Sequence, residues 1–133
     1  QDRLQKRPQF AASESFEFEL LQGPPPNVSM AVSLITHLNE KDVRYLLASL
    51  RRYVRPGHVF FPTYVPRRSE GANPPESNAL SAFRWTLEDM REIAADVGWL
   101  ASDATGPWHR ALRRFAPEHH RALRHSLLRL TAV

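Results

Sequence analysis

Cysteine is absent, so disulfides and thiolate metal sites are excluded. Glycine is scarce: Gly23, Gly57, Gly71, Gly98 and Gly106 are all there are, and none stand in a GxG arrangement. The chain therefore has no Gly-rich turn of the kind that lets backbone approach a nucleotide-like cofactor closely. Lysine is reduced to Lys6 and Lys41, so the basic character rests on arginine. No apolar run approaches the roughly 18 residues of a membrane-spanning helix. No HExxH pattern occurs, and only Glu118 stands near His119, His120 and His125, so no metal site is expected. The opening residues carry no signal-peptide pattern, which leads to the expectation of a cytoplasmic protein. The chain begins with Gln1 rather than Met, and further polypeptide upstream is expected.

What is present is ordinary globular composition, 42% apolar and 24% charged over 133 residues, enough for one domain with a real core. Residues 27–65 organise it. Val28–Ile35 is an almost unbroken apolar run, as expected of a strand covered on both faces. Asn39 is placed to cap a helix over 39–54, with Asp42 three residues on. Val43, Leu46, Leu47, Leu50 and Val54 form its apolar face; Lys41, Arg44, Arg51 and Arg52 take the other. Arg55-Pro56-Gly57 ends it. His58–Val65 is a second β-rich run. A helix between two such runs predicts a crossover with the strands parallel.

Around this centre, residues 1–26 read as a lead-in. Phe16, Phe18 and Leu20 alternate with Glu17 and Glu19 like a strand or an ordered loop. Gly23 to Pro26 form a stiff break. Residues 66–85 make a long loop with Pro74-Pro75 at its centre, functional or simply solvated. Thr86 caps a helix closed by Gly98, and Trp99–Ala104 is a short strand. Residues 107–133 hold six Arg, four His and one Glu. The spacing of Leu123, Leu127, Leu128 and Leu130 predicts a basic amphipathic helix over 118–130.

The ordered series Val28–Ile35, Ser33-Leu34-Ile35-Thr36-His37-Leu38, helix, Arg55-Pro56-Gly57-His58, strand, then Phe83-Arg84-Trp85-Thr86 and Val97-Gly98-Trp99 resembles the second half of class I S-adenosylmethionine-dependent methyltransferases. The resemblance implies an α/β, partial Rossmann-like methyltransferase fold, three-layered with a mainly parallel sheet, to which the C-terminal basic helix is added. It implies S-adenosylmethionine as cofactor, met by Ser33, Leu34 and Thr36, and a small-molecule methyl acceptor met by Tyr64, Arg84 and Trp85. His37 is the candidate general base. The family's Gly-rich half is missing, so the chain alone is expected to bind the cofactor weakly. A missing N-terminal half or a partner subunit is expected to complete it. The alternative is a noncatalytic binding or partner-pairing module that uses the basic helix on nucleic acid or an anionic surface.

Overall fold

A computed structural model describes residues 8–68 and 71–133. The first part of the lead-in and Ser69-Glu70 of the long loop lie outside the described residues. In chain order the elements are β1 (Val28–Ala31), α1 (Glu40–Tyr53), β2 (Val59–Pro66), β3 (Arg84–Trp85), α2 (Leu87–Asp96), β4 (Trp99–Asp103), α3 (Thr105–Phe115) and β5 (Ser126–Ala132). Single 3-10 turns stand at Phe18–Leu20 and Ile35–His37, and a longer 3-10 stretch runs over Pro117–Arg124.

The predicted crossover is present. β1 and β2 run parallel, with Val28 opposite Val59 and Ala31 opposite Pro62. The Asn39 side chain accepts from the Asp42 N–H at 2.9 Å and starts α1. Gly57, at φ 89°, turns the chain into β2. Thr86 and Asp89 close a reciprocal capping box on α2.

Several expectations are corrected. The first strand ends at Ala31, not Ile35, because Ser33 adopts a left-handed φ of 58° and Ile35–His37 coil into a 3-10 turn. The acidic-aromatic segment at Phe18–Leu20 is a 3-10 turn resting on the core, not a strand. The sheet is mixed rather than mainly parallel. Its order is β1-β2-β5-β4, with β5 antiparallel to both neighbours and β3 parallel to the end of β2. The basic helix of 118–130 does not exist as such: Pro117–Arg124 is 3-10 and Ser126–Ala132 is the strand β5. Alternation decides this. Leu128, Leu130 and Ala132 are buried while Arg129 between them is exposed, a period of two rather than 3.6.

Cross-strand partners share a face, so the pairings sort the sheet. Phe60, Tyr64, Leu128, Leu130, Ala132 and Trp99 face one side and join the core of α1 and α2. Leu46, Leu47, Met90 and Ile93 pack there. The Trp99 indole N–H donates to the Leu47 carbonyl at 2.9 Å, so this buried ring leaves no polar atom stranded. The opposite face is roofed only in part. α3 is tied to β5 by the Thr105 hydroxyl, which accepts the Leu127 N–H at 3.0 Å, and Trp108 and Leu112 share a cleft with Met30 and Val32. Elsewhere on that face Val28, Met30 and Leu100 are more than half exposed. The expectation that β1 is covered on both sides therefore fails. No helix of the described residues is long and apolar enough to cross a membrane.

Candidate functional site

The turn after β1 carries Ser33, Leu34, Thr36 and His37 of the predicted site residues. The Ser33 N–H donates to the Thr63 hydroxyl at 2.8 Å, which fixes the left-handed backbone against β2. The Thr36 hydroxyl donates to the Ser33 carbonyl at 2.8 Å and is buried. The His37 N–H donates to the Leu34 carbonyl at 3.1 Å. Leu34 rests its side chain on the core. Among the described residues the Ser33 hydroxyl has no hydrogen-bond partner, so it stays available to a ligand.

The long loop laces itself onto this turn. The Phe83 N–H donates to the Thr36 carbonyl at 2.9 Å, and the Asn78 N–H to the His37 carbonyl at 3.1 Å. The Asn39 N–H donates to the Ser77 hydroxyl at 2.8 Å, and the Asn39 amide to the Pro75 carbonyl at 2.9 Å. The Ser77 hydroxyl in turn donates to the Asp42 carboxylate. The described part of the loop is hydrogen-bonded to the turn while much of it, Leu80 above all, stays exposed to solvent. Proline-rich sequence lacks the periodicity that announces such docking; the polar residues Asn73, Ser77 and Asn78 are the only signal, because each can bond neighbouring backbone.

His37 lies partly buried with Nδ1 3.3 Å from the Ser81 carbonyl. A carbonyl only accepts, so the neutral ring carries its hydrogen on Nδ1 and leaves the Nε2 lone pair free. Asn39 rather than His37 supplies the cap of α1.

Tyr64, Arg84 and Trp85 separate. Tyr64 is buried on the helical side of the sheet opposite Ser126; burial pushes its phenol above the ordinary value. Arg84 is exposed, and its backbone is clasped by Asn73, whose side chain accepts the Arg84 N–H at 2.8 Å and donates to its carbonyl at 2.9 Å. Trp85 is buried and lines a cleft of about 690 Å³ with Asn39, Arg44, Arg67 and Asn73.

A second cleft, about 580 Å³, was not foreseen. Met30 and Val32 at the end of β1 form one wall, Trp108 and Leu112 of α3 another, and His119, His120 and Arg121 approach it from the 3-10 segment. Among the described residues no cluster of His, Asp and Glu is arranged to hold a metal ion. The histidines were visible in the sequence, but a helical reading of 118–130 hid their approach to β1.

No protein-family model matches the chain, and no curated protein matches it by sequence. Solved structures do match. An O-methyltransferase family protein from Burkholderia thailandensis aligns with a TM-score of 0.60 at 11% identity, over 93% of this chain and 35% of that one. Human N-acetylserotonin methyltransferase, solved with S-adenosylmethionine, aligns with a TM-score of 0.59 at 8% identity, over 92% and 33%. Magnesium protoporphyrin IX methyltransferase from Synechocystis, also solved with S-adenosylmethionine, aligns at 0.50 and 12% identity, over 84% and 41%. The likeness is one of fold, a partial Rossmann-like methyltransferase arrangement. The chain spans between a third and a half of the length of these structures.

Proposed function

We propose that this chain forms the carboxyl-terminal part of an S-adenosylmethionine-dependent methyltransferase and carries the acceptor side of its site. One observation supports this most. The chain contains the β1–α1–β2 crossover on which the resemblance rests, and it aligns with methyltransferases over more than nine-tenths of its length in two of the matches. The ligand end of an open α/β sheet lies beyond the carboxyl ends of parallel strands, which is where Ser33 to His37 stand.

The residues present fit only one side of the cofactor. The Ser33 hydroxyl is unbonded among the described residues, whereas the Ser33 N–H and the Thr36 hydroxyl are already spent internally. When bound, S-adenosylmethionine supplies the methyl group. His37 then serves as the base that takes the acceptor's proton on Nε2, while its Nδ1–H is held by the Ser81 carbonyl. The long loop steadies the His37 turn, because it donates to the Thr36 and His37 carbonyls. The acceptor is a small molecule, taken up on the side of Trp85, whereas Tyr64 stays within the core. The remaining cofactor contacts come from a further polypeptide segment or a partner subunit that covers the open face at β1.

The test uses the entire reading frame in which the chain lies. With S-adenosylmethionine and a panel of small nucleophiles, it is expected to form S-adenosylhomocysteine. His37→Ala should lower turnover by about 100-fold or more and leave cofactor affinity nearly unchanged. The isolated chain should give no micromolar calorimetric binding of S-adenosylmethionine. Absence of both cofactor binding and S-adenosylhomocysteine from the entire reading frame overturns the reading.

A further inference from the structure

We propose that the cleft between α1, the strap Gly71–Pro75 and α2 is a binding site for a small-molecule monocarboxylate, held by Arg67 and Trp85. Arg67 Nε and Trp85 Nε1 are both buried N–H donors without an acceptor among the described residues. They are neighbours across the β2–β3 pairing, where the Arg67 N–H donates to the Trp85 carbonyl at 2.9 Å. Both residues line the same cleft, with the two donor atoms themselves covered. The terminal nitrogens of Arg67 are already engaged by the Gly71 and Arg84 carbonyls, so Nε is what remains. Its charge meets only carbonyl oxygens; no carboxylate pairs with it among the described residues.

A buried donor left unpaired costs about 1–3 kcal/mol, and two such donors on adjacent residues call for an acceptor from outside. Water could satisfy the hydrogen bonds but brings no charge to the guanidinium. A carboxylate meets both needs, with two oxygens for two donors and one negative charge. The cleft, at about 690 Å³, falls within the roughly 300–1,000 Å³ range of small-molecule sites. Its lining sets Glu40, Asp89 and Glu92 against Lys41, Arg44 and Arg67, so a second negative charge on the ligand would meet no surplus of cations. Both donor atoms are closed from solvent, so the ligand enters as the strap lifts. The Asn73 clasp on the Arg84 backbone is the contact that must give way.

The site does not depend on the methyltransferase reading, and its test uses no S-adenosylmethionine. The indole N–H signals of Trp85, Trp99 and Trp108 are followed by NMR while sodium acetate is added, with sodium chloride and sodium phosphate at equal ionic strength as controls. Acetate is expected to shift the Trp85 signal saturably, whereas Trp99, bonded to the Leu47 carbonyl, stays in place. Arg67→Lys keeps a charge but loses Nε, and it should weaken acetate binding about tenfold, the equivalent of ~1.4 kcal/mol. Trp85→Phe keeps the ring and loses the donor; isotope labelling of the Arg67 Nε–H reports binding in that variant, again expected to be weaker. The proposal is overturned by no saturable Trp85 shift up to roughly 100 mM acetate, far above a ~1 mM Kd. It is overturned equally by the same shift with chloride or phosphate, or by unchanged affinity in folded Arg67→Lys.

Discussion

His58 is almost fully buried, yet both of its ring nitrogens are satisfied. Nδ1 lies 2.7 Å from the Pro26 carbonyl, and Nε2 lies 2.7 Å from the Ser29 hydroxyl. The carbonyl can only accept, so Nδ1 donates and Nε2 receives the hydroxyl hydrogen. The ring thereby pins the entry of β1 to the start of β2, and it meets Trp99 edge-on at 6.1 Å. His58→Ala opens a cavity and strands the Ser29 hydroxyl, so a loss of about 2–4 kcal/mol is expected in urea unfolding. A loss below about 0.5 kcal/mol, the scale of ordinary surface changes, would refute this account. His125 acts on stability through pH. Burial holds its imidazole below the ordinary value of 6.5, so the folded chain releases that proton before the unfolded chain does. Between the folded pKa and 6.5 the unfolded state binds more protons, and stability falls as pH drops through that window. Thermal melts from neutral pH downward should show this loss, and His125→Asn should flatten its upper part.

At the scale of elements, the legible parts were those with one dominant period or a cap. α1 carries a clean 3.6-residue face behind Asn39, and α2 has its box at Thr86 and Asp89; both were readable to within a residue or two. β5 was not, because Leu127 and Leu128 are adjacent and blur the alternation. Leu127 faces Thr63 on one side of the sheet, while Leu128 and Leu130 face the helical core. Both faces of β5 are therefore apolar at its start, and a continuous apolar run does not distinguish strand from helix. The candidate site was legible as a position, the end of β1, but its surroundings were not. The docking of residues 73–83 rests on side-chain-to-backbone bonds over long sequence separations, which leave no pattern in the chain. The strand assignment of β5 has its own test. Leu130→Ala should cost about 2–5 kcal/mol, as for a fully buried leucine. Arg129→Ala, one residue away and exposed, should stay within about 0.5 kcal/mol. Equal, small effects at both positions would contradict a strand packed on one face.

For the molecule as a whole, the decisive feature is asymmetry between the two sides of the sheet. One side is closed by α1 and α2 around Leu46, Leu47, Met90 and Trp99. The other leaves Val28, Met30 and Leu100 exposed, and β1 stands at the sheet's edge with no strand beyond it among the described residues. An apolar face next to an unpaired edge is where another chain or segment adds on. The solved methyltransferases that share this fold are two to three times longer than the part matched here. Covering this face is the role the proposed function gives to the further segment or partner. The isolated chain is therefore expected to bind an apolar dye and to self-associate with rising concentration in sedimentation velocity. Met30→Lys places a charge on the open face without touching the α1–α2 core. It should reduce both dye binding and association while shifting urea stability by no more than about 0.5 kcal/mol. A destabilisation of several kcal/mol would mean that Met30 is packed in solution and the face is already closed. Unchanged association in a normally stable Met30→Lys variant would show that the contact lies elsewhere, with the exposed Phe115 of α3 the next surface to vary.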